Sequence, residues 1–216
     1  MSRGGRASAG RRAGGGGGIR FEARELLDLA VAWVALGVAF VVFFGGPGVI
    51  GSTALPELFA LSMATAGVGF LLHELAHKVV ATRFGQVAHF RADYSMLFLA
   101  VAGAFAGILF AAPGAVYHRG RITARENGLI ALAGPVTNLL LAAIFTPPAF
   151  LASGFVADVG DFGLTINLLL AGFNMIPFGP LDGRTVFAWS KVVFVLAFVP
   201  SAALAALALV RFGFGI

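Results

Sequence analysis

The chain alternates long apolar runs with short polar or glycine-rich breaks. Five runs, roughly Leu26–Phe44, Leu58–Thr82, Gly128–Phe145, Phe162–Phe178 and Val192–Val210, are long enough to cross ~30 Å of hydrocarbon at ~1.5 Å per residue. A sixth run, Tyr94–Tyr117, also has the length to span, but it contains Gly103, Gly107, Pro113 and Gly114. Such residues weaken or end a helix. The pattern predicts an all-α polytopic membrane protein with about five spanning helices. The sixth segment either crosses or re-enters.

Composition agrees. Of 216 residues, 59% are hydrophobic and 12% charged, with a mean hydropathy of +0.93; a soluble domain of this length needs more polar surface. There is no cysteine, which excludes disulfides and thiolate metal sites. The pI near 10.7 could indicate nucleic acid, but the basic residues sit at the ends of apolar runs, so no nucleic-acid partner is expected. Residues 1–19 carry four arginines among glycines and cannot bury a core, which predicts a disordered basic tail. No apolar core follows closely enough for a cleavable signal peptide. Residues 20–216 then form a single membrane-embedded domain.

Loop charge orients the spans. The 45–57 and 147–161 loops contain no Lys or Arg, whereas the segments around Lys78–Arg91, Arg119–Arg125 and Arg184–Lys191 are basic. If 94–117 re-enters, every basic loop is cytoplasmic and every neutral loop external; if it spans, that order breaks. Re-entry is therefore expected, beside a protein-covered or wet cavity. The basic tail is cytoplasmic in this reading, as is the opening of any site near Lys78.

The second run contains FLLHELAHKV, residues 70–79. On a helix His73 and His77 share a face and can converge on one ion, while Glu74 is offset toward an activated water. This is the H-E-x-x-H arrangement of zinc hydrolases, two imidazole ligands with a glutamate as general base. Simple snorkelling is a poor alternative, because His73 lies about 15 Å below the inner surface. Ionisable groups within a span mark function by default.

A catalytic zinc needs a third protein ligand and an open position. His89 and His118 lie in basic loops and read as interfacial. Asp158 and Asp161 flank the neutral loop, and Asp93 suits a surface pair with Arg91. Asp182 stands out at the end of NMIPFGPLDG, where Pro177, Gly179 and Pro180 can unwind the backbone. A plain loop aspartate is the other reading of that residue. With 94–117 re-entrant, two crossings separate His77 from Asp182 and both lie on one face. With it spanning, three crossings set them apart.

HELAH in one run, AGPVTN (Ala133–Asn138) in a later one and FNMIPFGPLDG (Phe173–Gly183) in the next together resemble the site-2 protease family of intramembrane zinc metalloproteases, over roughly Leu58–Trp189. The resemblance implies one zinc within the bilayer held by His73, His77 and Asp182, with Glu74 as the base. It implies that Asn174 contacts the substrate backbone or the oxyanion. Gly134, Pro135 and Asn138 would form a tight helix contact beside the site. Arg184 follows Gly183 where family members often carry a second glycine. No segment is long enough for the PDZ or CBS domain that many members have.

The expected activity is hydrolysis of peptide bonds in or near transmembrane helices, so the partners are a transmembrane protein substrate and the lipid bilayer. A substrate helix must unwind to expose a carbonyl, and the extended piece VAHFRAD (Val87–Asp93) is expected to pair with it by edge addition. A zinc transporter is the main rival, but the remaining spans offer only Asn138, Asn167 and Asn174 as strong polar groups, too few for a transit path. A non-catalytic helix binder is the other, and it would have no use for Glu74.

Overall fold

Among the described residues five apolar helices are long enough to cross a membrane, and they match the five predicted runs. They are α1 (Ala23–Gly45), the continuous rod of α2 (Leu55–Ser62) and α3 (Val68–Arg83), α5 (Ala124–Leu151), α6 (Phe155–Asn174) and α8 (Lys191–Phe212). Two shorter α-helices are also described, α4 (Tyr94–Phe105) and α7 (Asp182–Trp189). This computed structural model describes residues 19–108 and 113–212. The predicted basic tail, apart from Ile19, lies outside the described residues.

Between α2 and α3 the rod passes through a π-helical turn, Met63–Gly67. One such turn carries an extra residue and rotates the rest of the rod by about 100°. Beyond it the buried residues run Gly69, Phe70, His73, Glu74, His77, Lys78 and Ala81, a helical stripe with both imidazoles facing inward. The turn is held by Thr65, whose hydroxyl donates to Leu61 O at 2.7 Å, and by Trp33, whose indole N–H donates to Met63 O at 3.4 Å.

The sixth segment re-enters. Strand β1 (Val87–Ala92) leads into α4, and the chain returns as β2 (Gly114–Arg119), antiparallel to β1 with Val87 opposite Arg119 and Ala92 opposite Gly114. Asp93 N donates to Pro113 O at 2.9 Å, so the segment closes on its own starting point. A 12-residue helix is also only about 18 Å long, too short to cross. Part of the apolar run is thus strand: Gly114–Tyr117 were read with the membrane segment and belong to the hairpin.

Two other expectations are corrected. The neutral 147–161 loop shrinks to residues 152–154, because α5 continues through Pro147 and Pro148 and α6 starts at Phe155. Each proline removes one backbone donor from the last two turns of α5, where the Thr146 hydroxyl bonds back to Ala142 O at 2.9 Å. Asp158 and Asp161 therefore lie in α6. Asp93 does not pair with Arg91; its carboxylate caps α4 by accepting Met96 N at 3.0 Å, and Arg91 faces Asp28 instead.

Single cysteines test the re-entry cleanly, since the chain has none of its own. Cysteines at Ser95 and Arg121 should react with an impermeant thiol reagent from one side of the membrane, and one at Ser153 from the other. Labelling of Ser95 and Arg121 from opposite faces would contradict the hairpin closure.

Candidate metal centre

His73, His77 and Asp182 converge although 105 positions separate the last two. The two Nε2 atoms lie 3.0 Å apart, and Asp182 Oδ2 is 3.2 Å from one and 3.3 Å from the other. Four ligands at the Zn–N and Zn–O distance of about 2.0–2.1 Å define a tetrahedron with edges of about 3.3 Å.

Hydrogen bonding at the far side of each ring decides what these atoms offer. His77 Nδ1 faces Ile130 O at 2.7 Å, and a carbonyl can only accept, so Nδ1 carries the proton. For His73 the assignment runs through two asparagines. Asn167 Nδ2 donates to Gly163 O at 2.8 Å, leaving its Oδ1 to accept from Asn138 Nδ2 at 2.9 Å. Asn138 Nδ2 also reaches Gly69 O at 3.3 Å, so its Oδ1 faces His73 Nδ1 at 2.6 Å and fixes the proton there. In the neutral rings both Nε2 atoms therefore present lone pairs to each other and to a carboxylate. Asp182 Oδ2 is buried with no hydrogen-bond donor. With both rings neutral, three acceptor atoms face one another, and a shared cation satisfies all three.

The backbone leaves room for one. A Cβ on Gly134 of α5 would lie 2.4 Å from His73 Nε2 and 2.5 Å from His77 Nε2, so only glycine lets α5 pass this close. Pro135 sits one residue on, fully buried, and withholds a backbone donor from the same turn. Asp182 is delivered by the turn that follows α6, and a Cβ on Gly183 would meet Met175 O at 2.0 Å. That contact seats the start of α7 directly on the unwound end of α6.

Glu74 is buried beside the two imidazoles, and its Oε2 has no partner. It lines a cavity of about 80 Å³ together with Asn174, Leu181 and the hairpin residues Pro113, Gly114 and Ala115. That volume admits water. Asn174 lies on the cavity wall, but its amide donates to Leu170 O at 3.0 Å in its own helix. His89 and His118 lie on the two hairpin strands, outside the group able to hold a metal.

Several proteins are similar to this chain. "Putative zinc metalloprotease MJ0611" of Methanocaldococcus jannaschii is 38% identical over 186 residues, which cover 84% of this chain and 93% of that protein. The chain belongs to the site-2 protease family of zinc metalloproteases. "Putative zinc metalloprotease YwhC" of Bacillus subtilis is 33% identical over 60% of this chain and 68% of its own length. "Putative zinc metalloprotease Rip3" of Mycobacterium tuberculosis is 33% identical over 63% of this chain, which matches only 33% of that longer protein. No family model matches the chain, and no solved structure matches it. Zinc is accordingly the metal of this multi-pass membrane protein.

Three residues of the site's surroundings escaped the sequence reading. Asn167 appeared only as a polar group in a span, although an amide buried in lipid needs partners and so signals a network. Glu25, just before the first run, and Asp28, inside it, drew no reading from sequence. Both are almost fully buried, and two acids three positions apart in a span were the available signal.

The geometry predicts metal loss from a change that touches no ligand. Gly134→Ala should strip zinc from the purified protein as thoroughly as His73→Ala or His77→Ala, read by elemental analysis. Asn138→Leu should weaken zinc about 10–100-fold, the usual effect of removing an outer-shell partner. Full zinc occupancy in Gly134→Ala would show that the imidazoles do not converge beneath α5.

Proposed function

We propose that this protein is an intramembrane endopeptidase that cuts peptide bonds in or near transmembrane helices, with His73, His77 and Asp182 as zinc ligands and Glu74 as general base. The observation that carries the reading is the unpartnered Glu74 carboxylate oxygen beside three converging ligand atoms of His73, His77 and Asp182, within a bundle of membrane-length helices. Zinc, when bound, supplies the Lewis acidity that activates water and polarises a carbonyl. Glu74 takes the proton of the attacking water and later hands it to the leaving amine. Asn174 can serve the oxyanion once its amide leaves Leu170 O.

The hairpin supplies a place for the substrate, though not on the strand expected from sequence. Val87, His89, Arg91 and Asp93 face β2, so the N–H groups of Phe90 and Ala92 point the other way, toward α1, where carboxylates already accept them. The Phe90 and Ala92 N–H groups of VAHFRAD are therefore already engaged and not free for a substrate strand. On β2 the backbone groups of Val116 and His118 point outward, and the strand begins at the cavity wall. An unwound substrate segment can add there. Cavity, basic loops and metal site lie at one end of the bundle, and we place that end in the cytoplasm. A transport path would need a second set of His or acidic ligands along the bundle, and among the described residues His73, His77 and Asp182 form the one such group.

Two variants test this reading against a model transmembrane substrate. Glu74→Gln should keep its zinc and lose activity by about 10²–10⁴ or more, since the same carboxylate handles two proton transfers. Cleavage at the parental rate would remove Glu74 from the mechanism. Val116→Pro deletes one outward N–H without touching the β1–β2 ladder, a substitution tolerated on strand edges. It should raise KM while zinc content stays unchanged.

A further inference from the structure

The start of α1 contains a pair of buried carboxylates that the proposed chemistry does not use. Glu25 and Asp28 are 1% and 2% exposed and occupy successive turns of a membrane helix. Glu25 accepts Lys78 Nζ at 2.6 Å and Phe90 N at 2.9 Å. Asp28 accepts Tyr94 Oη at 2.7 Å and Ala92 N at 3.4 Å, with Arg91 Nη1 at 3.9 Å. Phe90 and Ala92 are the outward-facing positions of β1 in its pairing with β2. The spacing of the two acids, about 4.5 Å along a helix, approximates the ~6.6 Å between alternate residues of a strand once flexible side chains span the difference.

An ordinary neighbouring strand would satisfy β1 with backbone groups. Here a helix does so with charged side chains, which make stronger hydrogen bonds than neutral acceptors. We propose that Glu25 and Asp28 are positioning residues that close the β1 edge of the hairpin, leaving β2 as the edge that receives substrate. Lys78 extends the device to the metal helix, because it follows the ligand His77 directly and its ammonium binds the Glu25 carboxylate that holds Phe90. The hairpin is thereby fixed to α1 and α3 together, with Gly114 and Ala115 against the cavity. This inference rests on the edge-addition reading, but one of its readouts is independent of cleavage.

The experiment compares Asp28→Leu, which removes the acceptor at similar size, with Asp28→Asn, which retains an acceptor oxygen. Each is measured in the full chain for zinc content, for amide hydrogen exchange of the 87–92 segment, and for KM and kcat on a model transmembrane substrate. In Asp28→Leu, exchange at Ala92 should accelerate about tenfold or more, the equivalent of one charge-assisted hydrogen bond. KM should rise several-fold with kcat and zinc little changed, and Asp28→Asn should recover most of both effects. Parental exchange and KM in Asp28→Leu would overturn the proposal. So would loss of zinc and fold in both variants, because that marks a purely structural acid. If the parent protein cleaves nothing, the protease reading fails by itself, and unchanged exchange at Ala92 still decides against the edge closure.

Discussion

Two imidazole lone pairs must be kept free of protons and aimed at one point in a medium that offers no solvent to hold them there. Much of the packing around the centre of the bundle follows from that requirement. Each ring has its outer nitrogen pinned by an acceptor from α5, Ile130 O for His77 and Asn138 Oδ1 for His73. α6 supports the second pin through Asn167. A half-satisfied network of this kind would be worse than an apolar core, because each orphaned amide in low dielectric is expensive. Asn138 and Asn167 are both fully buried; Asn138 donates to Gly69 O and to Asn167 Oδ1, and Asn167 donates to Gly163 O. Close approach of α5 is the steric condition for all of it, and Gly134 meets that condition.

The hairpin answers a different constraint. Backbone that is not helical leaves N–H and C=O groups unpaired, and at membrane depth these must find partners in protein or in a wet cavity. β1 finds β2 on one side, and on the other its Phe90 and Ala92 N–H groups find the α1 carboxylates. β2 has a partner on one side alone among the described residues, and its first residues border the cavity that also holds Glu74. The open strand edge and the unpartnered Glu74 oxygen thus face the same space.

How much of this was legible in the sequence depended on the range over which each signal acts. The five spans were readable because apolar length is a local property, and the His73–His77 pair because i, i+4 spacing already implies a shared face. Loop charge pointed to a segment 94–117 whose ends lie together, and the β1–β2 pairing has them so. The strand within that segment was not: Gly114–Tyr117 is as apolar as the helix before it, and the partner that makes it a strand, β1, lies on the far side of α4 in the chain. The edge assignment failed for the same reason, since which face of Val87–Ala92 is free depends on α1. Pro147 and Pro148 suggested a loop by local propensity, yet packing of the two helices carried α5 past them. The π turn left no local trace either, as its residues are ordinary helix formers apart from glycine. Its function, bringing the imidazoles around to the core, exists only in three dimensions.

The carboxylates near the cavity divide by how their charge is met, and that division separates their roles. Glu25 is neutralised by Lys78 and saturated with hydrogen bonds, and Asp28 has a phenol, an amide and a guanidinium nearby. Acids so compensated hold structure, because moving a proton to or from them would break several bonds at once. Asp182 faces two lone pairs and requires a cation, which suits a ligand. Glu74 differs from all three: it is equally hidden from lipid, but one oxygen is left without a donor at the edge of a cavity large enough for water. A carboxylate is useful as a base only if an acceptor site is vacant when the substrate water arrives. The vacancy that would make such an acid a defect in a structural helix is what the proposed role of Glu74 requires.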